Sequence, residues 1–112
     1  MIIEAYLCAY LSTHSNIPAY CEIPENAPDS FYVIDKLGSG SEDLIASATI
    51  AVQSYASSKL AAAVLNETLK EIMDQLPAEK EISRCQLNSD YDHTDTTSKR
   101  YRYQAVFDIT YF

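Results

Sequence analysis

Residues 85–112 read CQLNSDYDHTDTTSKRYRYQAVFDITYF, and the pattern of this stretch decides the fold class. Every second residue from Tyr101 to Tyr111 is aromatic or aliphatic, which is the period of a strand that buries one face. The residues before the polar middle of the stretch alternate in the same way. The spacing therefore predicts two long strands, at about 82–92 and 99–111, that pair as a C-terminal β-hairpin.

Opposite charges in the two predicted strands indicate how the strands face each other. In an antiparallel pair, a shift by one residue would turn one strand's apolar side chains to the wrong face, so only some registers are possible. The register that joins most opposite charges pairs Asp92 with Arg100, Asp90 with Arg102 and Arg84 with Asp108. Each such pair contributes roughly 0.2–1 kcal/mol, so we expect these aspartates and arginines to be partners.

The aspartates of the hairpin also allow a metal-site interpretation. Asp90, Asp92 and Thr94 have the spacing of the first ligands of a calcium loop. Such a loop needs glycine at its sixth position and glutamate at its twelfth, where this chain has Asp95 and Tyr101. We therefore expect no metal site here.

Two helices are predicted outside the hairpin. Apolar residues at helical spacing predict one helix from the N-terminus to the turn-forming stretch 12–18. Ser57 or Ser58 is a favourable N-cap for a second helix, which runs to about Gln75 before Pro77. Its predicted apolar stripe consists of Ala61, Leu65, Leu69, Ile72 and Leu76. Its predicted solvent side consists of Lys59, Asn66, Glu67, Lys70 and Asp74.

Three further strands complete the predicted fold. They lie at 19–24, 31–37 and 44–55, and Gly38 and Gly40 are expected to open the turn between the last two. The element order is then α-β-β-β-α-β-β. Because both helices must cover one sheet face, we expect an α+β two-layer sandwich in a single domain, residues 1–112. Its sheet should have about five strands and be mainly antiparallel.

The net charge of the chain limits the classes of molecule that it can bind. The chain carries a net charge of −8, and an acidic surface repels phosphate groups and loses the counterion release that drives nucleic-acid binding. We therefore expect no specific nucleic-acid binding. The chain also lacks an apolar run near the roughly 18 residues of a membrane span, so we expect no membrane association.

The residues that could carry catalysis form no recognisable motif. The sequence contains no H-E-x-x-H, no G-x-S-x-G and no P-loop. His14 lies at a predicted helix end and His93 at the hairpin tip. Cys8, Cys21 and Cys85 lack a C-x-x-C spacing and are expected to be reduced, mostly buried thiols, with Cys85 an unreactive core thiol. We expect a protein that is not an enzyme and uses no cofactor.

Three stretches resemble small tail-completion (tail-terminator, neck) proteins of long-tailed bacteriophages and of prophages of Gram-positive bacteria. They are YCEIPENAPDSFYVIDKLGSG (20–40), ATIAVQSYASSKLAAAVLNETLKEIMDQL (48–76) and residues 85–112. The resemblance implies an α+β protein that forms a ring, usually a hexamer, which caps the finished tail tube. It implies the tail tube protein and a head-completion or connector protein as further partners. The expected location is the tail or neck of the virion, after assembly in the host cytoplasm.

The long hairpin suggests where a neighbouring subunit would bind. Twelve residues of strand reach about 40 Å, so the hairpin should cross the whole domain and its tip should overhang. Tyrosine and arginine are enriched at interfaces. The predicted interface residues are Tyr91, His93, Asp95, Lys99, Arg100 and Tyr101. The alternative is a hairpin that curls over its own core.

Two other functions are compatible with the same sequence. One is a different neck or minor structural phage protein, such as a head-closure component. The other is a small ligand-binding domain or enzyme. A gene directly before that of a major tail protein would favour the terminator, whereas a strict monomer with a ligand-sized apolar cavity would favour the ligand-binding domain.

Overall fold

The chain folds into two helices and a mixed sheet of five strands, in the predicted order α-β-β-β-α-β-β. The computed structural model describes residues 1–97 and 100–112. The helices are α1 (Ile3–Ser15) and α2 (Lys59–Asp74), and a 3-10 turn (Leu76–Ala78) follows α2. The strands are β1 (Ala19–Tyr20), β2 (Phe31–Glu42), β3 (Ile45–Ala56), β4 (Ile82–Asp92) and β5 (Tyr101–Tyr111). Their order across the sheet is β1-β2-β3-β5-β4, and among the described residues only β1 and β2 pair in parallel.

Both helices pack on one face of the sheet, which confirms the α+β two-layer prediction. Alternate residues of the central strands face the helices, as the period of a strand requires. The core between the layers includes Leu7, Leu11, Leu69 and Met73 from the helices and Ile50, Val52, Phe107 and Ile109 from the strands. Each such side chain contributes about 1.5–3 kcal/mol when fully buried. Among the described residues, no helix combines the length and the apolarity needed to cross a membrane.

Helix α2 begins where the sequence predicts and buries most of its predicted apolar stripe. The Ser58 hydroxyl accepts a hydrogen bond from the Ala61 amide at 3.1 Å, which confirms the N-cap. Of the predicted stripe, Leu69 and Leu76 are fully buried, and Leu65 and Ile72 pack against the core. The prediction that Asn66 faces solvent is wrong, since only 1% of its surface is exposed. Its amide donates to a carboxylate of β4. The fully buried residues of the helix are Ala62, Asn66, Leu69 and Met73.

The turn between β2 and β3 lies further along the chain than predicted. Strand β2 continues through Gly38 and Gly40, neither of which has a positive φ. The turn is made by Asp43 and Leu44, with φ of 51° and 69°. Two consecutive positive φ angles are typical of the two-residue hairpin turn that matches strand twist. The glycines therefore do not open the turn, and Gly38 instead follows a register shift after Lys36.

The first predicted strand is shorter than expected. Only Ala19 and Tyr20 of the range 19–24 pair with β2, opposite Tyr32 and Val33. Pro24 and the residues around it belong to the connection that leads to β2. Strand β1 therefore covers a small part of the β2 edge.

The predicted register of the C-terminal hairpin is wrong. Strand β4 pairs with β5, but Arg84 faces Thr110, Asp90 faces Ala105 and Asp92 faces Tyr103. The pairs Asp92–Arg100, Asp90–Arg102 and Arg84–Asp108 therefore do not form as strand neighbours.

The reason is two register shifts in β4, between Ile82 and Arg84 and between Leu87 and Ser89. At the second shift Asn88 is an extra residue, so the residues after it change faces. Asp90 and Asp92 consequently lie on the helix side of the sheet.

We expect Leu69→Ala to lower the free energy of unfolding by about 2–5 kcal/mol, because Leu69 is fully buried between α2 and the sheet. The matched control is Leu60→Ala on the same helix, where 77% of the side chain is exposed. That change should shift stability by no more than about 0.5 kcal/mol. Urea unfolding followed by circular dichroism measures both, and equal losses would show that this face of α2 is not the buried one.

Candidate functional site

The second half of β2 and the turn that follows it form an exposed arm at one end of the sheet. Every residue from Asp35 to Ile45 is exposed, and we call this segment the arm. Strand β3 beside it is paired with β5 from Ala46 onward. Strand β1 pairs only with Tyr32 and Val33, so the outer edge of β2 beyond them has no neighbouring strand within the described residues. An unpaired edge presents backbone donors and acceptors that can bind another chain.

The tip of the arm holds a leucine in an unfavourable backbone conformation. Leu44 has a φ of 69° and a surface that is 98% exposed. A positive φ at a residue other than glycine destabilises the fold by about 1–3 kcal/mol, and glycine or asparagine would adopt this conformation with less strain. Glu42 and Asp43 precede it and give the tip a negative charge. The packing of this domain does not account for a leucine at this position.

At the other end of β3 lies an aromatic cleft of about 280 Å³. The pairing of Phe31 with Tyr55 places both rings on the face away from the helices. Their rings stack with centroids 4.7 Å apart and planes at 4°, and Tyr20 meets Phe31 edge-on at 6.1 Å. Pro28 forms part of the rim. The cleft thus has a rigid aromatic floor.

Arg102 of β5 connects this floor to the β4–β5 connection. Its Nη1 donates to the Tyr55 hydroxyl at 2.8 Å, and its guanidinium lies 5.7 Å from the centre of the Tyr55 ring. Its Nε donates to the His93 carbonyl at 2.7 Å. One guanidinium therefore holds the connection after β4 against the end of β3, so that Arg100 and Tyr101 reach the rim of the cleft.

The predicted interface residues separate into two groups in the structure. Arg100 and Tyr101 line the aromatic cleft. Tyr91 accepts a hydrogen bond from Gln104 at 2.6 Å and its ring meets that of His93 edge-on at 5.8 Å. Asp95 exchanges two backbone hydrogen bonds with Arg100, at 3.1 and 3.2 Å. Lys99 lies outside the described residues, and a role for these residues in an interface stays a prediction.

Sequence reasoning missed the arm, Phe31 and Tyr55. Tyr101 faces Ala56, so the β4–β5 connection passes that end of β3, and the exposed arm lies at the opposite end. The lengths of the predicted strands contained a signal for the arm. A predicted strand over 44–55 cannot pair fully with one over 31–37, so the earlier strand had to continue through its glycines.

The aspartates of β4 bind helix α2 instead of the arginines of β5. Asp90 Oδ2 accepts from Lys70 Nζ at 3.0 Å and from the Asn66 amide at 2.9 Å. Asp92 lies 3.0 Å from Lys59 Nζ. These contacts join β4 to three positions along one helix. Within residues 1–97 and 100–112, no group of three or more His, Cys, Asp or Glu side chains is arranged to hold a metal ion.

The environment of Asp92 strongly favours its charged form. The Thr94 hydroxyl donates to Asp92 Oδ1 at 2.6 Å, and this hydrogen bond is the largest cause that lowers the pKa of Asp92 to about 2. Lys59 and the Thr94 amide act in the same direction. The same contact with Asp92 raises the pKa of Lys59. This pair therefore keeps its charges across the neutral pH range.

The cysteines are more exposed than predicted. Cys21 is exposed, and Cys8 and Cys85 are half-buried, so the expectation of mostly buried thiols is wrong. Cys85 packs against the core, and burial raises its pKa to about 12, which fits an unreactive thiol. Cys8 and Cys21, far apart in the sequence, have their sulfurs 3.3 Å apart.

Comparison of the chain with family models and with curated proteins gives no match. The functional interpretation therefore depends on the geometry of the arm and the cleft and on the resemblance of the three quoted stretches. These two surfaces lie at opposite ends of one strand, because Ile45 begins β3 and Ala56 ends it.

We expect the Asp92 carboxyl to titrate near pH 2 instead of at its ordinary pKa of 3.8. Because folding lowers this pKa, the stabilising contribution of Asp92 is complete above about pH 4 and is lost as the pH falls towards 2. Carbon-13 NMR of the side-chain carboxyl measures the midpoint.

Thr94→Val and Lys59→Gln should each raise this midpoint, because each removes a cause that lowers the pKa of Asp92. Lys80→Gln removes the same charge at an exposed position outside the contact and should leave it unchanged. A wild-type midpoint at the ordinary value would contradict the described contacts.

Proposed function

We propose that the chain is a phage virion structural protein of the tail-terminator kind, which forms a six-membered ring that caps the tail tube and joins it to the head connector. The observation that carries the proposal is the exposed arm with Leu44 at its tip. The α+β architecture, with helices on one side of a sheet, agrees with what the resemblance implies. Contact between the arm tip of one copy and the aromatic cleft of the next would supply the interface that a ring requires.

In the proposed ring, the arm tip of one copy enters the aromatic cleft of the next. Leu44 is the apolar group that would lie on the stacked rings of Phe31 and Tyr55. Glu42 and Asp43 would then face the exposed Arg100 on the rim. The tip and the cleft are complementary in apolarity, and Arg100 offers the acidic tip a partner, while Asp29 also lines the cleft. A second copy of the chain is thus a partner that fits both surfaces.

The positions of the two surfaces favour a head-to-tail assembly. The tip and the cleft are different patches at opposite ends of β3, and the molecule is 44 Å long and 25 Å across. A contact between different patches is head-to-tail, and such contacts close into rings when the rotation between copies permits. A symmetric dimer would need a patch that binds itself. The arm tip is exposed and the cleft is concave, so the two patches fit the head-to-tail arrangement.

The conformational entropy lost when this contact forms should be small. Stacking already fixes Phe31 and Tyr55, and a two-residue turn already fixes Leu44. Groups that are ordered before binding lose little conformational entropy on association. Burial of one leucine side chain contributes about 1.5–3 kcal/mol. The strained conformation at the tip then serves to present the leucine to a neighbour.

The net charge of the chain suits a ring that surrounds a DNA passage. Each copy carries a net charge of −8, and a ring of copies multiplies that charge. Like charges repel the phosphate backbone, so DNA would pass without binding to the wall. This repulsion is consistent with the expectation that the chain makes no specific contacts with nucleic acid.

We expect Leu44→Asp to weaken association between copies by about ten- to a hundredfold, because it removes the apolar anchor. Leu37→Asp is the matched control, since Leu37 is an exposed leucine on the same arm away from its tip. Sedimentation over a range of protein concentrations measures both variants. Equal effects of the two changes would disprove the role of the tip.

A photo-crosslinking residue at position 44 tests the same contact inside assembled particles, where a weak ring is held by its neighbours. We expect crosslinked peptides that join position 44 of one copy to Phe31 or Tyr55 of another. Arg100→Glu should reduce this crosslink, and Asp43→Lys in the same chain should partly restore it. Crosslinks only to other proteins would contradict a ring held by the arm.

Removal of the chain from a phage that encodes it should give tail tubes of uncontrolled length that do not join heads, because nothing ends their growth. Electron microscopy of the lysate measures tube lengths. Tubes of normal length that fail to join heads would identify a different neck protein. Normal particles, together with a monomer that binds a small molecule in the aromatic cleft, would instead identify a ligand-binding domain.

A further inference from the structure

We propose that Cys8 and Cys21 are a thiol modification site, which a low-molecular-weight disulfide converts into an intrachain disulfide bond. The sulfurs lie 3.3 Å apart, in direct contact. A disulfide bond is about 2.05 Å long, so the two atoms need to approach by little more than an ångström. Cys21 is exposed, which gives a reagent in solution access to the pair.

The local structure holds the two thiols together. Cys8 is on α1, and Cys21 follows directly after β1. The Ala19 amide donates to the Ser12 hydroxyl of α1 at 3.3 Å, and the Pro18 carbonyl accepts from the Tyr32 amide at 2.9 Å. These hydrogen bonds place the residues just before Cys21 between α1 and the sheet. The thiols are therefore neighbours because of the fold.

The connection after Cys21 can accommodate the small movement that a bond requires. Residues 21–30 contain no helix or strand, and most of their side chains are exposed. Strand β1 is held by only two register pairs with β2. Cys8, in contrast, is anchored in a helix that packs on the core. We therefore expect the Cys21 side to move toward Cys8 when the bond forms.

The exchange proceeds in two steps. The Cys21 thiolate attacks one sulfur of the small disulfide RSSR, forms a mixed disulfide with it and releases RS⁻. The Cys8 thiolate then attacks Cys21 Sγ, which breaks the mixed disulfide and releases the second RS⁻. The protein loses two protons and two electrons, and one RSSR is reduced to two RSH.

The environments of the two thiols support this order of attack. Burial is the largest cause that raises the pKa of Cys8 to about 12, and the Cys21 thiol and the charge of Glu4 add to it. A thiol that resists ionisation is a slow first nucleophile. Resolution also needs the Cys8 thiolate, and there the contact offsets its weak ionisation, because its sulfur already touches Cys21 Sγ.

The bond would fasten a weakly held part of the fold to a strongly held one. It closes a loop between residues 13 positions apart and ties the start of the 21–30 connection to α1. Loop closure of this size should raise Tm by about 10 °C. A reducing glutathione pool would keep the pair open, and an oxidising medium would close it.

The test treats the full chain with oxidised glutathione and maps its cysteines by mass spectrometry of unreduced peptides. In the wild type we expect a Cys8–Cys21 bond, a loss of two hydrogen masses and the higher Tm. Cys85→Ser should behave in the same way. Cys8→Ser should stop at a glutathione adduct on Cys21, because the resolving thiol is missing.

Two results would overturn the proposal. One is a wild-type chain that keeps the glutathione adduct on Cys21 without resolving it. The other is a bond that uses Cys85 or joins two chains through Cys21. A correctly bridged chain would support the modification site, and a Tm equal to that of the reduced form would then contradict only the expected fastening of the connection.

Discussion

One extra residue in β4 determines how helix α2 is held to the sheet. From Arg84 to Leu87 the strand follows the alternation of its sequence, with Leu87 opposite Phe107 on the helix side. Asn88 then interrupts the ladder, and its amide donates to Asp108 at 3.1 Å. After it, Asp90 turns toward the helix, where Lys70 and Asn66 bind it. In an uninterrupted ladder this carboxylate would lie on the far face, and the buried amide of α2 would lose its partner.

The features that could be predicted from the sequence are those fixed by a few neighbouring residues. The alternation from Tyr101 to Tyr111 places β5 correctly, and Ser58 and Pro77 mark the limits of α2. The features that could not be predicted depend on a second strand or helix. The bulge at Asn88 exists only relative to β5, and the burial of Asn66 follows from that bulge. Likewise, the turn at Asp43 and Leu44 is set by the length of β3.

In the candidate site, too, the features fixed by neighbouring residues could be predicted and those that depend on a second strand could not. Arg100 and Tyr101 were expected at an interface because of their residue types and their position near a hairpin tip, and they line the cleft. The floor of the cleft was not foreseen, since Phe31 and Tyr55 meet only through the register of β2 and β3. Arg102, expected to pair with Asp90, instead binds the Tyr55 hydroxyl. The misassigned β4–β5 register therefore concealed the ties of α2 to the sheet and the role of Arg102, whereas the floor of the cleft depends on the separate register of β2 and β3.

The open edge of β2 also bears on how the isolated protein behaves at high concentration. A long unpaired strand edge is a template on which other chains can stack without limit. The arm carries Asp35, Glu42 and Asp43, so two arms that meet edge to edge bring carboxylates together. This repulsion acts through solvent and fades when added salt shortens the Debye length from about 8 Å to about 3 Å. The colloidal stability of the free subunit thus depends on ionic strength, through the same acidic tip that would select Arg100 of a correctly placed neighbour.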